Sequence, residues 1–120
     1  MAEQSILREK AEDLAIRIVK AAKYLVEDRH ELIMSRQMLR SGTSIGANIT
    51  EGIYAQSRKD FVNKLSISLK EATETYFWLR LLHKTSYISD AEYKSIIQDV
   101  EEVIRLLIST IKTTKANGLK

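Results

Sequence analysis

The chain has no cysteine and no proline. Without cysteine there is no disulfide framework and no thiolate metal site, and the composition suits a reducing cytoplasm. Without proline, no helix is forced to break for want of a backbone donor. No apolar run approaches the ~18 residues that a membrane span requires. The opening MAEQSILREKAEDLA carries charges every few residues, where a signal peptide would be apolar. Charge of one sign is scarce as well: 19 Lys and Arg against 16 Asp and Glu leave a net +3. Dedicated nucleic-acid binders concentrate positive charge far more, so this balance permits contact with a polyanion without demanding it.

Glycine is rare, with four in 120 residues, and three of the four fall in one stretch. Gly42, Gly46 and Gly52 lie between Ser41 and Phe61, in SGTSIGANITEGIYAQSRKDF. That stretch is otherwise helical in pattern, and each glycine there costs about 1 kcal/mol relative to alanine. A helix that keeps them is expected to use the missing side chain, through close approach of a neighbouring backbone.

What is present is apolar periodicity. At 120 residues the chain reads as one domain over 1–120 with a short polar tail at 116–120, large enough to bury about two thirds of its unfolded surface. A first helix runs from Ser5 to about Val26, with Leu7, Ala11, Leu14, Ile18, Ala21 and Leu25 on one stripe. A second spans about His30 to Tyr54, its inward residues being Met34, Met38, Ser41, Ile45, Ile49 and Gly52, with Asn48 at the margin. A third begins at Ser57, capped with help from Asp60, and presents Leu65, Leu69, Ala72, Tyr76, Leu79 and His83. Ile67, Trp78 and Leu81 lie on its other side, which predicts burial on two sides and hence an interface with another subunit.

The fourth helix has the clearest start, a full capping box of Ser89 and Glu92 with Ile88 stapled onto Tyr93. Tyr93, Ile97, Val100, Ile104, Leu107 and Ile111 then alternate spacings of four and three. That period of 3.5 predicts left-handed packing at a shallow angle. Short turns near Asp28, Ala55 and Ser86 complete an all-α, up-down-up-down antiparallel four-helix bundle.

Catalytic and metal chemistry are hard to find. Glu27 and His30 make one Glu-x-x-His element, but a di-iron bundle needs two, and Arg80 stands where His83 would need its glutamate. There is no Gly-x-Ser-x-Gly elbow, and GTSIGAN lacks the Gly-Lys-Ser/Thr ending of a phosphate loop. Glu71 and Glu74 are expected to pair with neighbours such as Lys70, and Glu51 to satisfy polar groups near Asn48. Asn48 is expected to set register between helices. The reading is therefore not an enzyme, with no metal, no cofactor, no membrane and no evident small-molecule substrate.

Basic residues remain. Arg17, Lys20 and Lys23 form a patch on the first helix, Arg36 and Arg40 lie one turn apart on the second, and Arg58 and Lys59 mark the start of the third. Each cluster alone reads as a solvated face. In a ring of identical subunits the patches repeat, and their attractions for RNA or DNA add. The competing reading is a protein-interaction scaffold, in which Ile67, Trp78 and Leu81 matter more than the arginines.

SIGANITEG, followed by SRKDFVNKLSISLKEATE and the WLRLL stretch, resembles the bacterial family of 23S ribosomal RNA intervening-sequence proteins over nearly the whole chain. That family is related in fold to the accessory variability determinant of diversity-generating retroelements. The matching positions are Ser44, Ile45, Asn48, Glu51, Gly52, Asp60, Phe61 and Glu71. The resemblance implies a four-helix bundle, a homo-oligomer of five copies and no enzymatic activity.

Overall fold

Each of the four amphipathic stretches forms one long helix in the computed structural model, which describes residues 2–118. They are α1 (Ala2–Glu27), α2 (Ile33–Ile53), α3 (Arg58–Lys84) and α4 (Asp90–Ala116), joined by turns at 28–32, 54–57 and 85–89. Helix α2 packs on α1 and α3, and α4 closes the ring onto α3 and α1, with no diagonal contact. The result is an antiparallel four-helix square measuring 49 × 21 × 19 Å. A helix of 27 residues is about 40 Å long at the usual rise, so the long axis is one rod plus its turns. None of these helices is long and apolar enough to cross a membrane.

The two serine caps form as the sequence reads. Ser57 Oγ accepts from Asp60 N at 3.1 Å. At α4, Ser89 Oγ accepts from Glu92 N at 3.1 Å while Glu92 Oε1 accepts from Ser89 N at 2.7 Å. Both satisfy amides that a helix start leaves unpaired.

The start of α2 differs from expectation. His30 has φ 54 and stands in the turn, and the helix begins at Ile33. The N-cap Leu32 makes no side-chain cap. Its work falls to Glu31, a buried carboxylate that accepts from Ile33 N, Met34 N and Ser35 N at 3.2, 3.1 and 2.7 Å. Ser35 Oγ returns a bond to the Glu31 carbonyl at 2.6 Å. An anion at the positive end of the helix dipole sets the boundary three residues later than periodicity suggests.

The core follows the sequence closely in α1, where Leu7, Ala11, Leu14, Ile18 and Leu25 are buried and Ala22 replaces the half-buried Ala21. In α3 and α4 the stripe is rotated. Leu65, Ala72 and Leu79 are buried as expected, but Leu69, Tyr76 and His83 are only half-buried, and Ser68, Thr75 and Leu82 lie in the core instead. In α4, Ile96, Val103 and Thr110 go in, while Tyr93, Ile104 and Ile111 stay at the edge. The reason in α3 is polar: Ser68 Oγ donates to the Ile45 carbonyl at 2.8 Å, and Thr75 Oγ1 lies 2.8 Å from Ser41 Oγ. Hydroxyls that find partners across a seam can be buried at little cost.

Two of the three helical glycines sit in tight places, and the third does not. A Cβ on Gly42 would meet Ile18 Cγ2 at 2.7 Å, and one on Gly52 would meet Leu65 Cδ1 at 3.1 Å and Lys64 Cβ at 3.2 Å. At Gly46 the nearest atom is 3.8 Å away, an ordinary contact. What approaches Gly42 and Gly52 is side chain rather than the backbone that the sequence suggests.

Candidate functional site

Three of the seven basic residues singled out in the sequence hold the bundle together. Arg17 reaches from α1 to α4, donating to Asp99 Oδ2 at 2.7 Å, to the Ser95 carbonyl at 3.1 Å and to Ser95 Oγ at 2.9 Å. Arg58, the first residue of α3, donates to the carbonyls of Asn117 and Gly118 at 2.7 and 3.2 Å, where α4 ends. A cation there meets the negative end of the α4 dipole. Arg40 ties α2 to α3 through Glu71, at 3.3 Å, and Glu74. The hydrogen bond from Arg40, with a second from Trp78, holds the Glu74 carboxyl below its ordinary range.

The other four, Lys20, Lys23, Arg36 and Lys59, are exposed and make no ion pair among the described residues. They do not form one patch. Lys20 and Lys23 near the end of α1, and Arg36 near the start of α2, share the end of the rod that carries the first turn. Lys59 opens α3 at the opposite end.

The family-motif residues build the α2–α3 hairpin. Ile45, Gly52 and Phe61 are buried. Ser44 Oγ donates to the Arg40 carbonyl at 2.7 Å, and Glu51 pairs with Lys64 at 2.8 Å rather than with groups near Asn48. Asp60 closes the α3 cap, and Glu71 pairs with Arg40 rather than Lys70. Asn48 Nδ2 donates to the Ser44 carbonyl of its own helix at 2.8 Å, so its hydrogen bond fixes no register between helices. Buried polar contact between α2 and α3 comes from Ser41, Ser68 and Thr75.

The exposed face of α3 is mostly polar but carries two large apolar side chains. Ile67 is 42% and Phe77 53% exposed, with Trp78 and Leu81 half-buried beside them. Phe77 and Trp78 meet edge to face, 5.0 Å between centroids, and Trp78 Nε1 donates to Glu74 Oε2 at 2.9 Å. Phe77 is absent from the sequence-based interface of Ile67, Trp78 and Leu81, although its place next to Trp78 on an already two-sided helix was the available signal. A second apolar set is Ile16, Val19 and Val26 on α1, all exposed and, by helical spacing, on one side of that helix.

His83 serves local structure. His83 stacks on Tyr93 with centroids 4.3 Å apart, and its Nε2 lies 2.5 Å from Asp90 Oδ1. The His83 hydrogen bond, aided by its charge interaction, holds the Asp90 carboxyl below its usual range. Among the described residues, no three of His, Cys, Asp and Glu come together as a metal site would require.

The chain is an antiparallel four-helix bundle whose arginines clamp its helices together. More particularly, residues 3–109 match the family described as 23S rRNA-intervening sequence protein, and the chain belongs to that family. It is also similar to a crystal structure of a protein of unknown function from the S23 ribosomal protein family of Bacteroides thetaiotaomicron VPI-5482. The two are 53% identical, with 92% of this chain and 98% of that one covered and a TM-score of 0.90. No curated protein matches the chain.

Proposed function

We propose that the chain is a non-enzymatic, self-assembling scaffold, whose copies join through apolar outer faces and present charged surfaces to a partner protein. The observation that carries this reading is the exposed Phe77 against Trp78, with Ile67 and Leu81 on the same helix, matched by Ile16, Val19 and Val26 on α1. Helices α1 and α3 occupy opposite corners of the square. The α3 face of one copy then meets the α1 face of the next, a head-to-tail arrangement that closes into a ring. Five copies is the number that the family resemblance implies. Native mass spectrometry tests the reading: a closed multiple of the 13.7 kDa chain is expected, and a monomer at micromolar concentration rejects it.

A second reading makes RNA or DNA the partner. It draws support from the family's description and from Lys20, Lys23, Arg36 and Lys59, whose charges a ring would repeat. Arg17, Arg40 and Arg58 weigh less in it, because each is engaged within the bundle. Three phosphate contacts per chain, from Lys20, Lys23 and Arg36 at one end, predict a slope of about −2 to −3 in log affinity against log salt. Absent or salt-insensitive binding to a structured RNA and to duplex DNA removes this reading. Both readings place the chain in the cytoplasm, in keeping with its lack of cysteine.

A further inference from the structure

Asn117 and Gly118 follow one another where α4 ends. The pair is reactive, because glycine has no side chain to shield its own amide nitrogen or to restrict its backbone. That nitrogen can attack the side-chain carbonyl of the asparagine before it and close a cyclic imide. Asn48 and Asn63, the chain's other asparagines, precede Ile49 and Lys64 and lie inside α2 and α3. There the following nitrogen belongs to the helix ladder. The Asn48 amide is also engaged with the Ser44 carbonyl.

The fold holds Asn117 short of reaction. Its ψ of 9 nearly eclipses the Gly118 nitrogen with the Asn117 backbone nitrogen, whereas ring closure needs it eclipsed with Cβ. Gly118 N also donates to the Lys115 carbonyl, over a long 3.2 Å. Attack therefore requires a turn about the Asn117 Cα–C bond. The peptide unit is planar, so the Asn117 carbonyl must swing round with the nitrogen. That carbonyl is the one Arg58 holds at 2.7 Å, with the Gly118 carbonyl at 3.2 Å. Arg58, reaching from the start of α3, is a latch on the reactive rotation.

Little else restrains this end. Lys115, Ala116 and Asn117 are all exposed, and Gly118 at φ 91 has left the helix. An exposed last turn opens at small cost.

We propose that Asn117 is a site of spontaneous covalent modification, and that the Arg58 clamp sets its rate. The Gly118 nitrogen bonds to Asn117 Cγ and gives up its proton. The Cγ–Nδ2 bond breaks, and ammonia leaves carrying that proton. Water then opens the imide at either carbonyl, giving aspartate or isoaspartate. Both products place a carboxylate at the negative end of the α4 dipole, which disfavours the last turn. Isoaspartate also lengthens the main chain by a methylene, so the join between α3 and α4 loosens irreversibly. The site shares no residue with the apolar faces of the scaffold reading, and the two stand or fall separately.

The test is to age the full chain at mildly alkaline pH, digest it, and follow the peptides carrying Asn48, Asn63 and Asn117 by mass spectrometry. The signal is replacement of the side-chain NH₂ by OH. Asn117 is expected to convert well before the other two. In Arg58→Met it will convert about tenfold faster, the size of a lost hydrogen bond from a charged group. Asn63 will keep its native rate in that variant, which separates a lost latch from general unfolding. Conversion of Asn117 no faster than Asn63 overturns the proposal. So does an Arg58→Met chain in which Asn117 is not accelerated, or in which Asn63 accelerates equally. Amide exchange on fresh and aged native chain needs no variant. Protection is expected to fall in the last turn of α4 and the first of α3, and unchanged protection in aged, converted chain also overturns the proposal.

Discussion

A methyl group on Gly42 would stand 2.7 Å from Cγ2 of Ile18, and 3.2 Å from its Cβ, across the α1–α2 seam. Ile18 is β-branched and fully buried, so it has little freedom to turn away. Gly42→Ala is expected to destabilise the chain, because overpacking of about 1–3 kcal/mol exceeds the helix propensity gained. Gly46→Ala, with its nearest neighbour at 3.8 Å, is expected to stabilise by up to about 1 kcal/mol. Urea denaturation of the two variants checks this contrast, and changes of the same sign refute it.

Thr75 and Thr110 are both buried, yet they call for opposite outcomes. Thr75 Oγ1 has partners in Ser41 Oγ and the Glu71 carbonyl, whereas Thr110 Oγ1 has none. Thr75→Val will cost about 1–2 kcal/mol, while Thr110→Val, relieving an unpaired hydroxyl, will gain about 1 kcal/mol. Thermal midpoints that move in opposite directions are the check.

The chain's one tryptophan reports on a carboxylate. Trp78 donates to Glu74, which Arg40 also contacts, and these bonds hold the Glu74 carboxyl below its ordinary range. A lowered carboxyl contributes stability that is present above the unfolded value and is lost as pH falls through the folded one. Trp78 emission is therefore expected to change at acid pH, below the range in which an ordinary carboxyl titrates. In Arg40→Met the midpoint will move upward, since the main cause of the depression is gone. A midpoint that ignores Arg40 rules out this assignment.

Head-to-tail assembly has a signature that a two-fold contact lacks. Phe77→Lys spoils the α3 face and leaves the α1 face whole, and Ile16→Lys does the reverse. Each variant alone is expected to be monomeric. Mixed, they will form a dimer and nothing larger, because one good face remains of each kind. Dimers from either variant alone would mean that the faces pair with themselves.

Much of the fold was legible because it is written in local terms. The capping serines, the α1 stripe and the turn positions depend on residues three or four apart. Other features depend on partners distant in sequence. Arg17 and Asp99 are 82 residues apart, Arg58 and Asn117 are 59, and Arg40 and Glu71 are 31. Nothing local marks these arginines as clamps rather than free cations. Ser68 and Thr75 look unsuited to a core until α2 supplies their partners. Glu31 is missed for a related reason: it caps α2 from outside the helix, at a position where a short side chain is the usual sign.

The α2–α3 hairpin is joined by buried hydroxyl bonds, by Arg40 with its two glutamates and by Lys64 with Glu51. The two terminal helices meet along a seam with two ion pairs and a gap. Amide hydrogen exchange should therefore run faster along α1 and α4 than in the central hairpin, and the reverse order would contradict it. Local opening of the bundle is then expected to begin along that seam, at its two ends in the sequence rather than its middle.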